Sequence, residues 1–172
     1  MALRHIVEEG DAVLERVCRP VTDFSDRTRL LLDDMRETLL ESGGVGLAAP
    51  QVGVLRRAVL VLETNHPEGE PDSIIELINP EIIASSGEQE GPEGCLSVPG
   101  IFGWVVRPDT VTVRAQDREG NVFEVTGTGL TARAFCHELD HLEGVLFRER
   151  AEYILTDEEL DEYYGTGSGE NE

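Results

Sequence analysis

The chain contains no lysine; all 14 of its basic residues are arginine. That excludes Schiff-base and lysine-nucleophile chemistry. Positive charge of any kind is scarce. Against 35 aspartates and glutamates the formal net charge is -21. Such a surface repels phosphate backbones, so direct nucleic-acid binding is not expected. No stretch approaches the roughly 20 consecutive apolar residues of a membrane span. The opening Met1-Ala2-Leu3-Arg4-His5 runs into charged residues rather than an apolar signal core. Cysteine occurs only as Cys18, Cys95 and Cys136, an odd number at wide spacing. This is no disulfide framework, and it points to a reducing cytoplasm. Neither an internal repeat nor a central linker is visible. At 172 residues with 40% apolar content, one domain with a genuine core is expected.

The periodicities give an α+β chain. Residues 23–42 read as a helix, with Asp23 or Ser25 as cap, an apolar stripe of Leu30, Leu31, Met35 and Leu39, and Gly43-Gly44 as its stop. A glycine-punctuated loop over residues 44–53 follows, then a buried strand over residues 58–62 and a polar loop over 63–73. Residues 74–84 read as two short strands broken at Asn79-Pro80. Residues 110–116 and 122–126 flank Asp117-Arg118-Glu119-Gly120-Asn121, a β-hairpin signal. Residues 130–143 form a helix stopped by Gly144. A short acidic helix is expected over 156–164, since Thr156 and Glu159 have capping-box spacing. The expected architecture is antiparallel strands packed around a central helix. Residues 1–164 make the single domain, and 165–172 read as a flexible acidic tail.

The central helix carries His137-Glu138-Leu139-Asp140-His141, an H-E-x-x-H pentad. Residues i and i+4 share a helical face, so both imidazoles can bind one divalent ion. At ~100° per residue, Glu138, Leu130 and Ala134 fall on the side of the two histidines, whereas Cys136 falls about 260° from His137 and points away. A glutamate so placed can manage the proton of a water held by the ion. The pentad alone thus announces a metallohydrolase and leaves its third ligand open. The extended pattern H-E-x-x-H-x-x-G-x-x-H is excluded, because Phe147 stands where its last histidine is required. Glu158, Glu159 and Glu162 are candidates on an acidic, solvated helix. Cys95 is preferred, as a thiolate suits zinc and divalent iron and leaves a fourth position open. His5 and His66 have no partner at ligand spacing.

Three separated segments, Gly44-Val45-Gly46-Leu47-Ala48-Ala49-Pro50-Gln51, Glu93-Gly94-Cys95-Leu96-Ser97 and His137-Glu138-Leu139-Asp140-His141, resemble in order and spacing the signature motifs of the peptide deformylases. The resemblance covers roughly residues 4–150. It implies a bacterial enzyme that removes the N-formyl group from the N-terminal methionine of new polypeptides and releases formate. It implies Cys95, His137 and His141 as metal ligands, with Fe2+ the native ion and Zn2+, Ni2+ or Co2+ able to replace it. It makes Glu138 the general acid/base, and the Gln51 side chain and Leu96 N–H the oxyanion donors. A hydrophobic pocket for the methionine would draw on Val45, Leu130 and Ala134. Gly44, Gly46 and Gly94 would let an extended peptide approach backbone to backbone. Cys136 departs from the glutamine often found before the first histidine in this family. Some members dock on the ribosome through a basic C-terminal helix. Residues 151–172 hold eight acidic residues and no basic one, so any passing ribosome contact is not expected to use this tail. The competing readings are an H-E-x-x-H peptidase with a different third ligand and a non-catalytic relative that only binds metal or peptide.

Overall fold

The structure is a computed structural model that describes residues 2–171, with side chains described through residue 165. Five strands form one antiparallel sheet in the order β1-β2-β3-β6-β7, where β1 is Gly46–Ala48, β2 Ala58–Glu63, β3 Ser73–Ser86, β6 Thr110–Gln116 and β7 Val122–Thr128. A second sheet, β4-β5-β8, comprises Gln89–Cys95, Val98–Arg107 and Tyr153–Ile154. The helices are α1 Asp26–Ser42, α2 Leu130–Leu142, the single turn α3 Phe147–Arg150, and α4 Asp157–Asn171. The architecture is therefore α+β.

Strand β2 shows why the layers stack as they do. Successive side chains of a strand face opposite ways, yet Ala58, Val59, Leu60 and Val61 are all buried. Val59 and Val61 join Leu77, Val113, Ala132 and Phe135 in a core against α2. Ala58 and Leu60 join Leu32, Met35 and Leu39 in a second core against α1. The second sheet closes over the other side of α2, with Val98, Val105 and Phe147 in its own cluster. Helix α2 is thus enclosed, and its buried residues include Arg133, His137 and Glu138. Charged groups at such positions persist only with partners.

Several expectations change. On α1, Leu30 is 51% exposed and Leu32 is buried in its place, so the stripe is Leu31, Leu32, Met35 and Leu39. Residues 74–84 do not make two strands. β3 is continuous, and Asn79-Pro80 is absorbed as a register shift with Asn79 at φ 50°. The Asn79 side chain bonds both backbone groups of Val21 and the Gln116 amide, which ties the irregular spot down. The hairpin β4–β5 was not expected, since Gly91, Pro92 and Gly94 are poor strand formers. β4 lies at a sheet edge, where a proline is tolerated. The Thr156–Glu159 capping box forms as expected, each backbone N–H bonded by the other's side chain. In place of an irregular end after residue 164, α4 runs to Asn171. Extending an existing helix is far cheaper than starting one, although each glycine there costs about 1 kcal/mol. Glu172 lies outside the described residues.

Candidate metal centre

Helix α2 presents His137 and Glu138 toward a cavity of about 470 Å3 between the sheet edges, with His141 one turn further on. Cys95 ends β4, and the two-residue turn Leu96-Ser97 returns the chain into β5, with Cys95 opposite Val98. That turn puts the sulfur beside the helix. Cys95 Sγ lies 3.4 Å from His141 Nε2. The ligand atoms of Cys95, His137 and His141 all lie within 4.8 Å of one another. No other such group of His, Cys, Asp or Glu occurs among the described residues.

His137 is oriented by a residue the motif reading left without a role. Its Nδ1 sits 2.7 Å from Glu93 Oε2. Burial raises the Glu93 carboxyl, but hydrogen bonds from His137 and Arg107 outweigh it and hold the group at about 2. An ionised carboxylate only accepts, so Nδ1 carries the proton and Nε2 keeps its lone pair for a ligand. Arg107 grips Glu93 through Nε at 3.1 Å and Nη2 at 2.6 Å, and Arg133 Nη1 adds a third contact at 2.9 Å. Arg107 also reaches Asp140 at 2.9 Å, which Arg150 shares. Asp140 thus belongs to this scaffold rather than to the metal face.

Glu138 is 3% exposed, and its Oε1 has no hydrogen-bond partner among the described residues. Burial pushes its carboxyl up to about 7. The glycine at position 46 makes this placement possible, because a Cβ there would stand 2.5 Å from Glu138 Oε2. Burial together with neighbouring His137 pushes the His141 pKa well below its usual value, which keeps that imidazole neutral. Burial also lowers His137, but the negative charge of Glu138 and the contacts with Cys95 and Glu93 raise it well above its ordinary value. A soft sulfur with two imidazoles suits zinc or divalent iron, and three protein ligands leave a position for a reactant.

Gln51 lies in the 3-10 turn Ala49–Val52 and is 1% exposed. Its Oε1 accepts the Ala48 N–H at 2.9 Å, which fixes the amide the right way round. Its Nε2 then points at Ser97 Oγ, 3.1 Å away, and at Cys95 Sγ, 3.6 Å away. Leu96 lines the same cavity beside Gln51, Cys95, His137 and Glu138, with His141 buried beneath at 1% exposure. Val45, Gly46, Gly94, Leu130 and Ala134 also line it, with Leu130 half-exposed at the mouth. Gly94 has a packing reason of its own, since a Cβ there would meet the Phe102 ring at 2.6 Å. Cys136 lies away from the metal face, in a separate cavity with Leu139 and Asp140. Glu158, Glu159 and Glu162 are exposed on α4, His5 is exposed, and His66 pairs with Asp72 in the surface loop. Glu93, Arg107, Arg133 and Ser97 went unread. Only the place of Glu93 and Ser97 inside a quoted motif could have flagged two of them.

A thiol and two imidazoles around one point, beside a buried carboxyl and a fixed amide donor, are the equipment of a metal-dependent hydrolase. The polypeptide deformylase family model matches residues 3–155. A peptide deformylase from Caldanaerobacter subterraneus subsp. tengcongensis is 53% identical over 161 residues, covering 94% of this chain and 97% of that one. The crystal structure of peptide deformylase from Thermotoga maritima superposes with a TM-score of 0.81 at 36% identity, covering 88% of this chain and 99% of that one. A Met-Ala-Ser-bound class I type b peptide deformylase from Acinetobacter baumannii gives 0.79 at 36% identity, with 87% and 98% covered. The chain belongs to the polypeptide deformylase family.

Proposed function

We propose that Cys95, His137 and His141 hold the metal of a peptide deformylase, an enzyme that removes the N-formyl group from the N-terminal methionine of newly made polypeptides and releases formate. The observation that carries the residue assignment is the meeting of three ligand atoms within 4.8 Å, next to a buried carboxyl with a partnerless oxygen. When bound, a divalent ion supplies Lewis acidity, polarising the formyl carbonyl and making water at the site easier to deprotonate. We assign Fe2+ as the native ion, with Zn2+, Ni2+ and Co2+ as substitutes.

The remaining work falls to side chains and backbone. Glu138, poised near neutrality, takes the proton of the attacking water and hands it to the leaving amine. As negative charge builds on the formyl oxygen, Gln51 Nε2 and the Leu96 N–H donate to it from positions fixed beforehand. Glu93 keeps the His137 ring turned, with Arg107 and Arg133 neutralising its charge. The edge strands β1 and β4 offer unpaired backbone to an extended peptide. Val45, Leu130 and Ala134 receive the methionine side chain, and Gly46 and Gly94 keep the cleft open to the peptide. The relative that binds Met-Ala-Ser supports this peptide geometry. We place the reaction in the bacterial cytoplasm, on formyl-methionyl nascent chains. Any transient ribosome contact does not run through the acidic C-terminal segment, residues 165–172. Among the described residues no helix is long and apolar enough to cross a membrane.

The test is release of the free amino terminus from formyl-Met-Ala-Ser, with formate, and from acetyl-Met-Ala-Ser, with acetate, by the metal-loaded protein. The formyl peptide is expected to react and the acetyl peptide to be a poor substrate, because its extra methyl crowds the site. Comparable rates on both, or cleavage of internal peptide bonds, would overturn the proposal.

A further inference from the structure

Gln51 and Ser97 meet between the two sheets. Gln51 lies in the 3-10 turn after β1, and Ser97 in the turn between β4 and β5, 46 residues further along the chain. Both are buried. The Ser97 hydroxyl oxygen accepts from Gln51 Nε2 at 3.1 Å. The Ser97 backbone is engaged as well. Its N–H points at Cys95 Sγ, 3.4 Å away, and its carbonyl accepts the Glu9 N–H at 2.7 Å. Two residues before Glu9, the Val7 N–H donates to the Gln51 carbonyl at 2.8 Å. One short segment near the start of the chain thus pins the backbones of both residues. Its side chains pack on the same parts of the site. Ile6 joins the core that takes in Leu96, and Val7 the core that takes in Cys95.

This double fastening matters because of what a glutamine side chain can do. A carboxamide carries two N–H donors. Its plane turns about χ3, a soft torsion with broad wells. The Ala48 N–H on Oε1 fixes which end is oxygen, but one anchor does not set the plane. A second anchor on Nε2 does. With one Nε2 hydrogen on Ser97 Oγ, the other is left toward Cys95 Sγ, a weak acceptor 3.6 Å away in the cavity wall. That hydrogen is the one free to meet a formyl oxygen. We propose that Ser97 is a positioning residue of the oxyanion hole, whose hydroxyl holds one Gln51 hydrogen so that the other faces the reacting carbonyl. The inference rests on the deformylase reading. Ser97 acts through Gln51 alone and carries no proton in the reaction.

The experiment is a double-mutant cycle on kcat for formyl-Met-Ala-Ser, with every variant metal-loaded and its rate referred to bound metal. Ser97→Ala is expected to lower kcat about tenfold, the worth of one hydrogen bond, and to leave KM within about twofold, because the oxyanion exists only in the transition state. Gln51→Ala removes the donor itself and is expected to lose on the order of 10²-fold. In that background Ser97→Ala should cost less than about twofold, since it has nothing left to position. Ser97→Thr keeps the hydroxyl and should return kcat to within about threefold of wild type. A readout independent of turnover is the Gln51 side-chain amide in the NMR spectrum of the zinc-loaded protein. Ser97→Ala should move one of its two Nε2 hydrogens upfield and leave the other in place. Unchanged kcat in Ser97→Ala, equal losses with and without Gln51, a threonine variant no faster than the alanine one, or two unmoved amide resonances overturns the inference. A wild-type protein that releases no formate from this peptide would instead overturn the deformylase reading beneath it.

Discussion

Glu93 on β4 and Glu138 on α2 are carboxyls of the same kind, buried to the same degree in the walls of one cavity. Burial raises both. Glu93 then gains hydrogen bonds from His137 and two arginines and is held at about 2. Glu138 has an oxygen with no partner, and it stays at about 7. One site thus contains a permanently ionised carboxylate that orients a ligand and a second carboxyl free to carry a proton. Environment, not residue type, divides the labour. A third carboxylate, Glu76, shows how much burial matters to this. It too sits between arginines, Arg36 and Arg118, but on β3 away from the cavity, with its side chain 13% exposed.

The comparison breaks first if Glu138 is dispensable. Glu138→Ala is expected to keep the metal and lose about 10²–10⁴-fold in kcat. Metal content and turnover on formyl-Met-Ala-Ser check this, and a near-normal rate with metal bound would end its role as proton carrier. Glu93→Gln should act differently. It leaves Arg107 and Arg133 buried against a neutral amide, at a cost of about 3–5 kcal/mol. With His137 no longer fixed, metal affinity is expected to fall about 10–100-fold. Urea unfolding and a metal titration measure the two effects, and a stable, fully loaded variant would contradict the scaffold role.

The two carboxyls should also tilt stability with pH in opposite directions once a chelator has removed any metal. The folded value of Glu93, about 2, lies below the unfolded value of about 4.3. Its contribution is present above that unfolded value and is lost as pH falls through about 4 toward 2. Glu138, with a folded value of about 7, is the reverse. Its contribution is present below about pH 4 and is lost as pH rises through 7. Glu138→Gln abolishes that loss, so its unfolding midpoint should match wild type near pH 4 and exceed it increasingly toward pH 8. A gap that closes as pH rises would mean that Glu138 is not raised. The smallest effect belongs to Glu76→Gln. Burial raises Glu76, the Arg118 and Arg36 contacts lower it further, and the net shift is downward. Its stabilisation is thus present at neutral pH and lost as pH falls through its folded value. The substitution is expected to cost no more than about 1 kcal/mol, shrinking with added salt. A loss as large as that of Glu93→Gln would erase the distinction between surface and cavity.

Part of this protein is local and could be read directly from the chain. The spacing of His137, Glu138 and His141 puts them on one face of any helix that contains them, because 3.6 residues per turn is a property of the backbone. The reciprocal cap of Thr156 and Glu159 and the β6–β7 hairpin are equally local. Local rules misjudged β3, where Asn79-Pro80 looked like a break. The side chain that accommodates it as a bulge bonds Val21 and Gln116, which are distant in sequence. They missed β4 as well, because a proline- and glycine-rich strand survives only through its pairing with β5.

What joins the pieces belongs to the tertiary structure alone. Nothing near Cys95 says that its sulfur lies 3.4 Å from His141, 46 residues on. The sequence offers 35 acidic residues, and no local pattern marks Glu93 as the one that grips His137, or Glu138 as the one placed in the cavity wall with a partnerless oxygen. Which groups lie on one helical turn is fixed by backbone geometry. Which group on one element meets which on another, and with what charge, is fixed only when two sheets close over α2 and exclude the water that would otherwise make those carboxyls alike.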